Sequence, residues 1–573
     1  MNPEIAKIFY EMAVLLDMKE VAFKPRAFEK AADIIGSLEE DVEGIYKRGG
    51  LKALMEISGI GQGIAEKIEE YIKTRDIKDY KRLKKQIPVD VKGLSSIEGL
   101  GPKNIYKLYK KLGIKTIEEL EKAAKTGKLR DLEGFGEKSE IKFLKGIEFS
   151  KKGQGRFALG FVLPVVKLIL DRIRKLPYVE VVEPAGSIRR MQETVGDLDI
   201  LVISKEPEKV MGYFVKMPEV VHIYGKGITK TNVRLKNGMN ADLRVLEPES
   251  FGAALQYFTG DKYHNIIVRE LAIKKGYKLS EYGLFKGKKA VAGKSEEEIY
   301  EKLGLAWIPP EIRTNSGELD AARDGKLPKL VEYGSLKGDL QVQTDWTDGQ
   351  NSIKEMAEAA KKAGLEYIVI TDHTKSLAMT GGLDEKKILK QVAEIDEINS
   401  KFKIQKSKFK VLKGAEVNIL KDGRLDIDDE VLAKLDVVGG AVHSNFNLTE
   451  EEQTQRMIKA MENSNVDIIF HPTGRVIQKR EAYKVDMNEL IKAAKRTKTI
   501  LEIDAYPSRL DLKDEYIRKA VQAGVKLSID SDAHNILHFQ YLEMGIAQAR
   551  RGWAEKNDII NTSNWQEMLK LLK

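Results

Sequence analysis

The stretch running from Ala185-Gly-Ser-Ile-Arg-Arg through Thr194-Val-Gly-Asp-Leu-Asp-Ile-Leu-Val202 constrains this chain more than any other. A Gly-Ser turn leads into an apolar alternating run that holds Asp197 and Asp199. Side chains at i and i+2 of a strand leave the same face, so the spacing predicts two carboxylates side by side. Like charges held that close repel, and a face that tolerates them normally holds a divalent cation. A third acid, Asp242, comes on another alternating segment, Met239-Asn-Ala-Asp-Leu-Arg-Val-Leu246. Three carboxylates on adjacent strands beside a Gly-Ser phosphate loop can clamp two metal ions around a nucleoside triphosphate. The competing reading, solvated strand acids, requires Gly-Ser, Asp-x-Asp and the later Asp to coincide by chance.

At 573 residues the chain has room for three or four domains. Apolar residues make up 42% and charged ones 32%, the balance of a globular protein with charged surfaces. No stretch offers ~20 uncharged apolar residues for a membrane crossing; Phe157–Leu170 comes nearest and contains Pro164 and Lys167. The amino terminus lacks a secretory layout. Without cysteine there is neither a disulfide framework nor a thiolate metal site. The expectation is a cytoplasmic protein, without membrane association and acting as a monomer. Residues 1–335 hold 60 Lys and Arg against 50 Asp and Glu, and the remainder 37 against 38. The first part is therefore the expected partner of a polyanion.

Residues 1–150 read as helices with short breaks, with Ile5, Phe9, Met12, Ala13 and Leu16 at helical spacing. Three breaks share one form, around Gly59-Ile-Gly61-Gln-Gly63, Gly99-Leu-Gly101-Pro-Lys103 and Gly134-Phe-Gly136-Glu-Lys138. Such turns let backbone N–H groups at the next helix start approach a phosphate oxygen. They resemble helix-hairpin-helix elements, which bind DNA backbones without reading sequence. A single turn of this kind can equally be a plain helix connection. From 151 to 245 the pattern shifts to strands. Residues 246–315 are helical at first and contain Leu255-Gln-Tyr-Phe-Thr-Gly260, and 316–335 read as an ordered linker.

The Gly-Ser turn, Asp-x-Asp and Asp242 resemble the nucleotidyltransferase palm, specifically that of family X DNA polymerases. Tyr257-Phe258-Thr259-Gly260 resembles the sugar-recognition segment of that family. The resemblance implies that Asp197, Asp199 and Asp242 are catalytic and hold Mg2+ (or Mn2+). It places Gly186, Ser187 and Arg190 at the β and γ phosphates. Tyr257, Phe258 and Gly260 would form the sugar pocket, Asn265 would meet the incoming base, and Arg269 the template minor groove. Aromatic core is the other reading of Tyr257 and Phe258. Arg244, two residues beyond Asp242, could order the aspartates or form a surface ion pair. Lys67 matches the Schiff-base lysine of the eukaryotic members' lyase domain, with Lys24 and Arg26 in a segment like their 5′-phosphate pocket. Lys67 could instead contact phosphate or solvent, and Gly63 stands where those members have a further lysine.

From 336 a new pattern repeats seven times: a short β-branched run, a polar residue at its end, then a helical segment. Candidate ligands at the carboxy ends of strands are where a β/α barrel builds its site. Thr371-Asp-His373, Val442-His-Ser444, Phe470-His-Pro472 and Asp530-Ser-Asp-Ala-His534 resemble the polymerase and histidinol phosphatase (PHP) domain. A palm followed by this domain is the layout of bacterial and archaeal PolX enzymes, and the resemblance spans the chain. It implies metal ligands at Asp348, His373, Glu416, His443, His471, Asp532 and His534, with Mn2+ or Zn2+ bound. Glu416, His443 and His471 would serve one ion, and Asp348, His373 and His534 another. The family's opening His-x-His is here Gln341-Val-Gln343, so the third ion keeps Asp532 and a share of Glu416. A neutral Gln carbonyl is a poorer ligand than imidazole for transition metals.

The expected fold is multidomain α/β: a helix-hairpin-helix region in two parts (1–85, lyase-like, and 86–150, fingers-like), a palm (151–245) with thumb (246–315), the linker, and a (βα)7 PHP barrel (336–573). The expected function is templated filling of short DNA gaps from deoxynucleoside triphosphates on gapped or primer-template DNA in repair. The barrel is expected to have weakened nuclease activity, either 3′–5′ exonuclease or abasic-site cleavage. The alternatives are an end-processing phosphoesterase, or a DNA-binding scaffold with a purely structural barrel.

Overall fold

A computed structural model describes residues 1–573 apart from 39, 40, 58, 96, 98, 99, 131, 133, 138, 142, 145, 146, 148–155, 405 and 406. The chain divides into two compact units, one formed by residues 1–154 with 478–480 and one by 155–477 with 481–573. In the first, helices Asn2–Met18, Lys24–Ser37, Val42–Met55, Gln62–Thr74, Lys78–Gln86, Val91–Ser95, Pro102–Leu112 and Ile117–Lys125 follow one another. The apolar positions spaced at three and four residues close one core, in which Phe9 and Phe28 meet edge to face at 5.3 Å.

The second unit begins with a five-stranded sheet. Its strand order is Val179–Pro184, Asp197–Ser204, Asn240–Leu246, Lys230–Leu235, Val220–Lys226. Asp197–Ser204 and Asn240–Leu246 run parallel at its centre, and the other pairs are antiparallel. Leu198, Ile200, Ala241 and Leu243 bury one face under helices Leu159–Arg174 and Pro207–Phe214. The thumb region adds helices Phe251–Thr259, Lys262–Lys274 and Glu296–Lys302 and a small antiparallel sheet. The expected linker is ordered but does more than connect. Helix Glu318–Arg323 places Leu319 and Ala322 in the thumb core, and Glu318 receives the buried His264 at 2.7 Å.

Seven parallel strands then follow in sequence order: Gly338–Val342, Tyr367–Ile370, Lys410–Asn418, Val437–Ala441, Ile468–Ile469, Ile500–Asp504 and Leu527–Asp530. Alternation divides their side chains, with Tyr367 and Val369 in the inner cluster and Ile368 and Ile370 against the outer helices. The ends of the sheet meet, so the barrel nearly closes. The Gln343 N–H donates to the Ala533 carbonyl (2.8 Å) and the Ala533 N–H to the Gln341 carbonyl (3.3 Å). Palm and barrel pack within one unit through the part-buried Glu193, whose carboxylate takes Arg475 (2.7 and 3.0 Å), Arg551 (3.2 Å) and Gln548 (2.8 Å). Burial works against this charge, but the two guanidiniums hold the Glu193 carboxyl at about 2.

Candidate active sites

Register brings the palm acids together. Asp199 pairs directly with Asp242, and Asp197 with Asn240. Burial, then the charges of Asp197 and Asp242, push the Asp199 carboxyl up to about 7, against Arg244 and Arg190. The turn preceding the strand is locked onto it, the Ala185 N–H donating to the Asp199 carbonyl at 2.9 Å. Gly186 has φ +62°, and a Cβ there would lie 2.8 Å from Asp199 Oδ2, so only glycine fits. An Asn232 amide N–H donates to Asp242 Oδ1. Arg190 donates to the Thr259 carbonyl, while its Nε is buried without a partner among the described residues. The carboxylates of Asp197, Asp199 and Asp242, close enough for their charges to act on Asp199, and a buried guanidinium donor on the turn that carries Ser187 fit a divalent cation carrying a phosphate chain.

Tyr257 and Phe258 are half-buried rather than core, their rings edge to face at 5.1 Å with Arg244 stacked 4.5 Å from the Phe258 centroid. Gly260 faces Arg190, whose Nη1 would lie 3.0 Å from an added Cβ. Asn265 donates to the Tyr257 carbonyl (2.7 Å) and accepts from Gln256 (2.8 Å) within the thumb. Arg269 is exposed, with Nε donating to the Asn265 carbonyl at 3.2 Å. Sequence reasoning missed Arg189, Glu296 and Arg313. Glu296 receives Arg189 (2.8 and 2.9 Å) and the buried Arg313 (2.6 and 3.0 Å). Burial would raise its carboxyl, but Arg313 and Arg189 hold it well below the usual range. The pair Arg189–Glu296 lies 107 residues apart, and no local periodicity announces such a contact.

In the first unit Gly61 and Gly101 each precede a helix, Gln62–Thr74 and Pro102–Leu112. A Cβ at Gly61, Gly63 or Gly101 would meet nothing among the described residues within 4 Å, leaving these turns open for a phosphate backbone. Gly59 differs: its φ is +85° and a Cβ would strike Ile34 at 2.5 Å. Lys103 is exposed and pairs with Glu20 at 3.0 Å. Gly99 and parts of the third turn lie outside the described residues. Beside the first turn a cavity of about 540 Å³ is lined by Lys24, Lys30, Lys67, Asp79 and Arg82. Lys67 Nζ lies 2.5 Å from Asp79 Oδ2, and this partner holds the Asp79 carboxyl below its ordinary value.

At the carboxy ends of the barrel strands Glu416 is the hub. Its Oε1 meets His443 Nε2 (3.0 Å) and His471 Nε2 (2.9 Å), and its Oε2 meets His373 Nδ1 (3.2 Å) and Gln343 Nε2 (2.9 Å). Asp348 joins His373 Nε2 and His534 Nε2, each at 3.6 Å. Donor atoms of Asp348, His373 and His534 lie within 4.8 Å of one another, as do those of His373, Glu416 and His443. Asn418 fixes the His443 ring through Nδ1 at 2.8 Å, the support a metal-binding imidazole usually receives. Burial opposes the charge on His534, yet Asp532 and Asp348 push it up to about 10. His471 (φ +32°) and Asp532 (φ +50°) hold left-handed backbones, strain that concentrates at functional sites. The set fits two divalent cations. Where the family pattern has two further imidazoles, the buried Gln341 and Gln343 offer only neutral amides, poorer ligands for transition metals. Sequence reasoning also missed the acids Asp339, Glu502, Asp504 and Asp530. Burial raises all four, Asp339 to about 8 and Asp530 to about 7.

Two sites on one chain, a strand-borne acid triad beside a Gly-Ser turn and a histidine-carboxylate cluster in a parallel barrel, define a class of divalent-metal phosphoryl-transfer protein. Family profiles match residues 1–77 (Helix-hairpin-helix domain), 91–142 (SAM-like Helix-hairpin-helix tandem), 254–314 (DNA polymerase beta thumb) and 339–534 (PHP domain). The chain is 38% identical to "DNA polymerase/3′-5′ exonuclease PolX" of Bacillus subtilis (strain 168) over 575 residues, covering 100% of this chain and 99% of the relative. A probable phosphatase of Thermoanaerobacter sp. (strain X514) is 30% identical over 225 residues, 37% of this chain and 84% of its own. Another, of Caldanaerobacter subterraneus, is 31% identical over 199 residues, 32% of this chain and 70% of its own. The chain therefore belongs to the PolX family of DNA polymerases. Among the described residues no helix is long and apolar enough to cross a membrane.

Proposed function

We propose that the palm adds deoxynucleotides to a primer 3′ end in short DNA gaps, and that the barrel hydrolyses phosphodiesters at DNA ends. The observation that carries the first reading is the Asp199–Asp242 register pair, with Asp199 raised to about 7. Two bound Mg2+ or Mn2+ ions would lower the pKa of the primer hydroxyl and neutralise charge on the reacting phosphates. Asp197 and Asp199 would hold the ions and the triphosphate, and Asp242, kept in place by Asn232, would hold the ion beside the primer hydroxyl. Arg190 spends its unpartnered Nε on a phosphate oxygen. Tyr257 and Phe258 pack against the sugar. The open turns at Gly61 and Gly101 grip strand backbones independently of sequence.

In the barrel, Glu416, His443 and His471 would hold one ion, and Asp348, His373 and His534 another. When bound, such ions supply an activated water for phosphodiester cleavage. The resemblance to PolX, a named 3′-5′ exonuclease in Bacillus subtilis, favours that direction. For Lys67 the structure favours phosphate and ion-pair contact over imine chemistry, since Asp79 engages its ammonium. The reading extends to a cytoplasmic monomer. The test is incorporation on a 5′-phosphorylated one-nucleotide gap. Metal-dependent extension lost in Asp199→Ala is expected; extension surviving that change removes the assignment.

A further inference from the structure

The turn that carries Gly186, Ser187 and Arg190 is held from outside the palm. Met191, which follows Arg190, has a left-handed backbone (φ +49°). A residue with a Cβ keeps that conformation only where its surroundings enforce it. The peptide joining Met191 to Gln192 makes two hydrogen bonds in opposite directions. Its N–H, that of Gln192, donates to the Ser187 carbonyl at 3.0 Å, and its carbonyl, that of Met191, accepts from Arg551 Nη1 at 2.6 Å. A peptide unit is planar, so fixing the carbonyl also fixes the N–H that holds Ser187. Hydrogen bonds linked in this way polarise and strengthen one another.

Arg551 is buried and held on its other sides by the barrel and the turn. Its Nε donates to Asp514 Oδ2 (3.1 Å), and its Nη2 meets Glu193 Oε1 (3.2 Å). It ends helix Leu542–Arg551, whose Ile546 and Ala549 lie in the barrel core. Gly545 of that helix sits so near Ile529 that an added Cβ would lie 2.5 Å from it, which seats the helix on strand Leu527–Asp530. We propose that Arg551 is a positioning residue for the palm. Through the Met191–Gln192 peptide, the barrel holds Ser187 and Arg190 where they meet the triphosphate. An interface bridge needs only charge against charge. Here the guanidinium spends one donor on a backbone carbonyl, and its planar fork serves three acceptors in fixed directions, which a compact ammonium does not. The inference deepens the polymerase reading of the turn and rests on it.

The test reads nucleotide binding rather than turnover. Full-length protein with Mg2+ is titrated with the complementary deoxynucleoside triphosphate on a gapped duplex. The primer ends in a dideoxynucleotide behind phosphorothioate linkages, so it is neither extended nor trimmed. Arg551→Lys keeps a charge facing Asp514 and Glu193 and gives up the fork. It should raise the nucleotide Kd about tenfold, the size of one hydrogen bond to a charged group, with DNA affinity unchanged. In an Arg190→Ala background the same change should cost far less, because the group it positions is gone. Equal factors in the two backgrounds mark independent sites and overturn the proposal. Because a buried lysine could disturb the fold, Glu193→Asp approaches the contact from the palm side. It keeps the carboxylate but withdraws it from Arg551, and should raise Kd in the same direction. Wild type that extends an ordinary primer, with Kd unchanged in both single variants, removes the positioning role alone. Wild type that binds the nucleotide but extends no primer removes the polymerase reading instead.

Discussion

At the scale of single residues, the palm concentrates its function in groups that have little room to change. Gly186 cannot accept a Cβ because Asp199 Oδ2 would sit 2.8 Å away. Gly186→Ala should therefore impair incorporation while leaving the barrel's cleavage intact, a split readable on one preparation. Asp199→Ala should lower incorporation by roughly a thousandfold or more, as expected for a residue acting as a unit with its neighbours. Lys67 gives a different expectation. Its ion pair with Asp79 predicts weak borohydride trapping on 5′-deoxyribose-phosphate DNA, raised by Asp79→Asn and abolished by Lys67→Ala. Trapping that persists in Lys67→Ala removes this lysine from any lyase step. The three palm acids were legible because strand alternation and Asp-x-Asp spacing are local. Arg189, Glu296 and Arg313 were not, since their meeting depends on chain segments far apart.

At the scale of elements, the parallel pairing of Asp197–Ser204 with Asn240–Leu246 makes metal binding depend on pH. The metal-free Asp199 carboxyl sits at about 7, and a cation binds its deprotonated form. Below about 7 a proton must leave, so apparent affinity should fall about tenfold per pH unit on acidification and level off above it. Titrating Mn2+ between pH 5 and 8 checks this; a flat profile contradicts the raised carboxyl. The hairpin turns invite a second measurement. Lys103→Ala should weaken binding alike on all sequences and reduce the salt slope by about one ion. The seven strand-helix repeats were legible from β-branched runs with polar ends. The inner acids Glu502 and Asp504 were not, because Glu502-Ile-Asp504 reads locally like any half-buried strand. The linker was misjudged in role, since its composition hides that Glu318 receives His264 inside the thumb.

At the scale of the whole chain, the palm and barrel are expected to stand or fall together. Glu193→Ala leaves the part-buried Arg475 without its carboxylate and Arg551 with Asp514 alone (3.1 Å), a loss of about 1–3 kcal/mol, below the cost of breaking a fully buried ion pair. With the carboxyl lowered from 4.5 to about 2, that contribution is present above about pH 4.5 and lost as pH falls through about 2. A single melting transition that shifts down in Glu193→Ala at pH 7 is the expected result. The central claim, two metal-dependent sites with separate chemistries on one chain, is tested most directly by one paired assay. Wild type, Asp199→Ala and His471→Ala are each given a gapped duplex with Mn2+, and extension and cleavage are read from the same gel. The account predicts that Asp199→Ala loses extension and keeps cleavage, while His471→Ala does the reverse. Loss of both activities in either variant, or cleavage unchanged in His471→Ala, would contradict it.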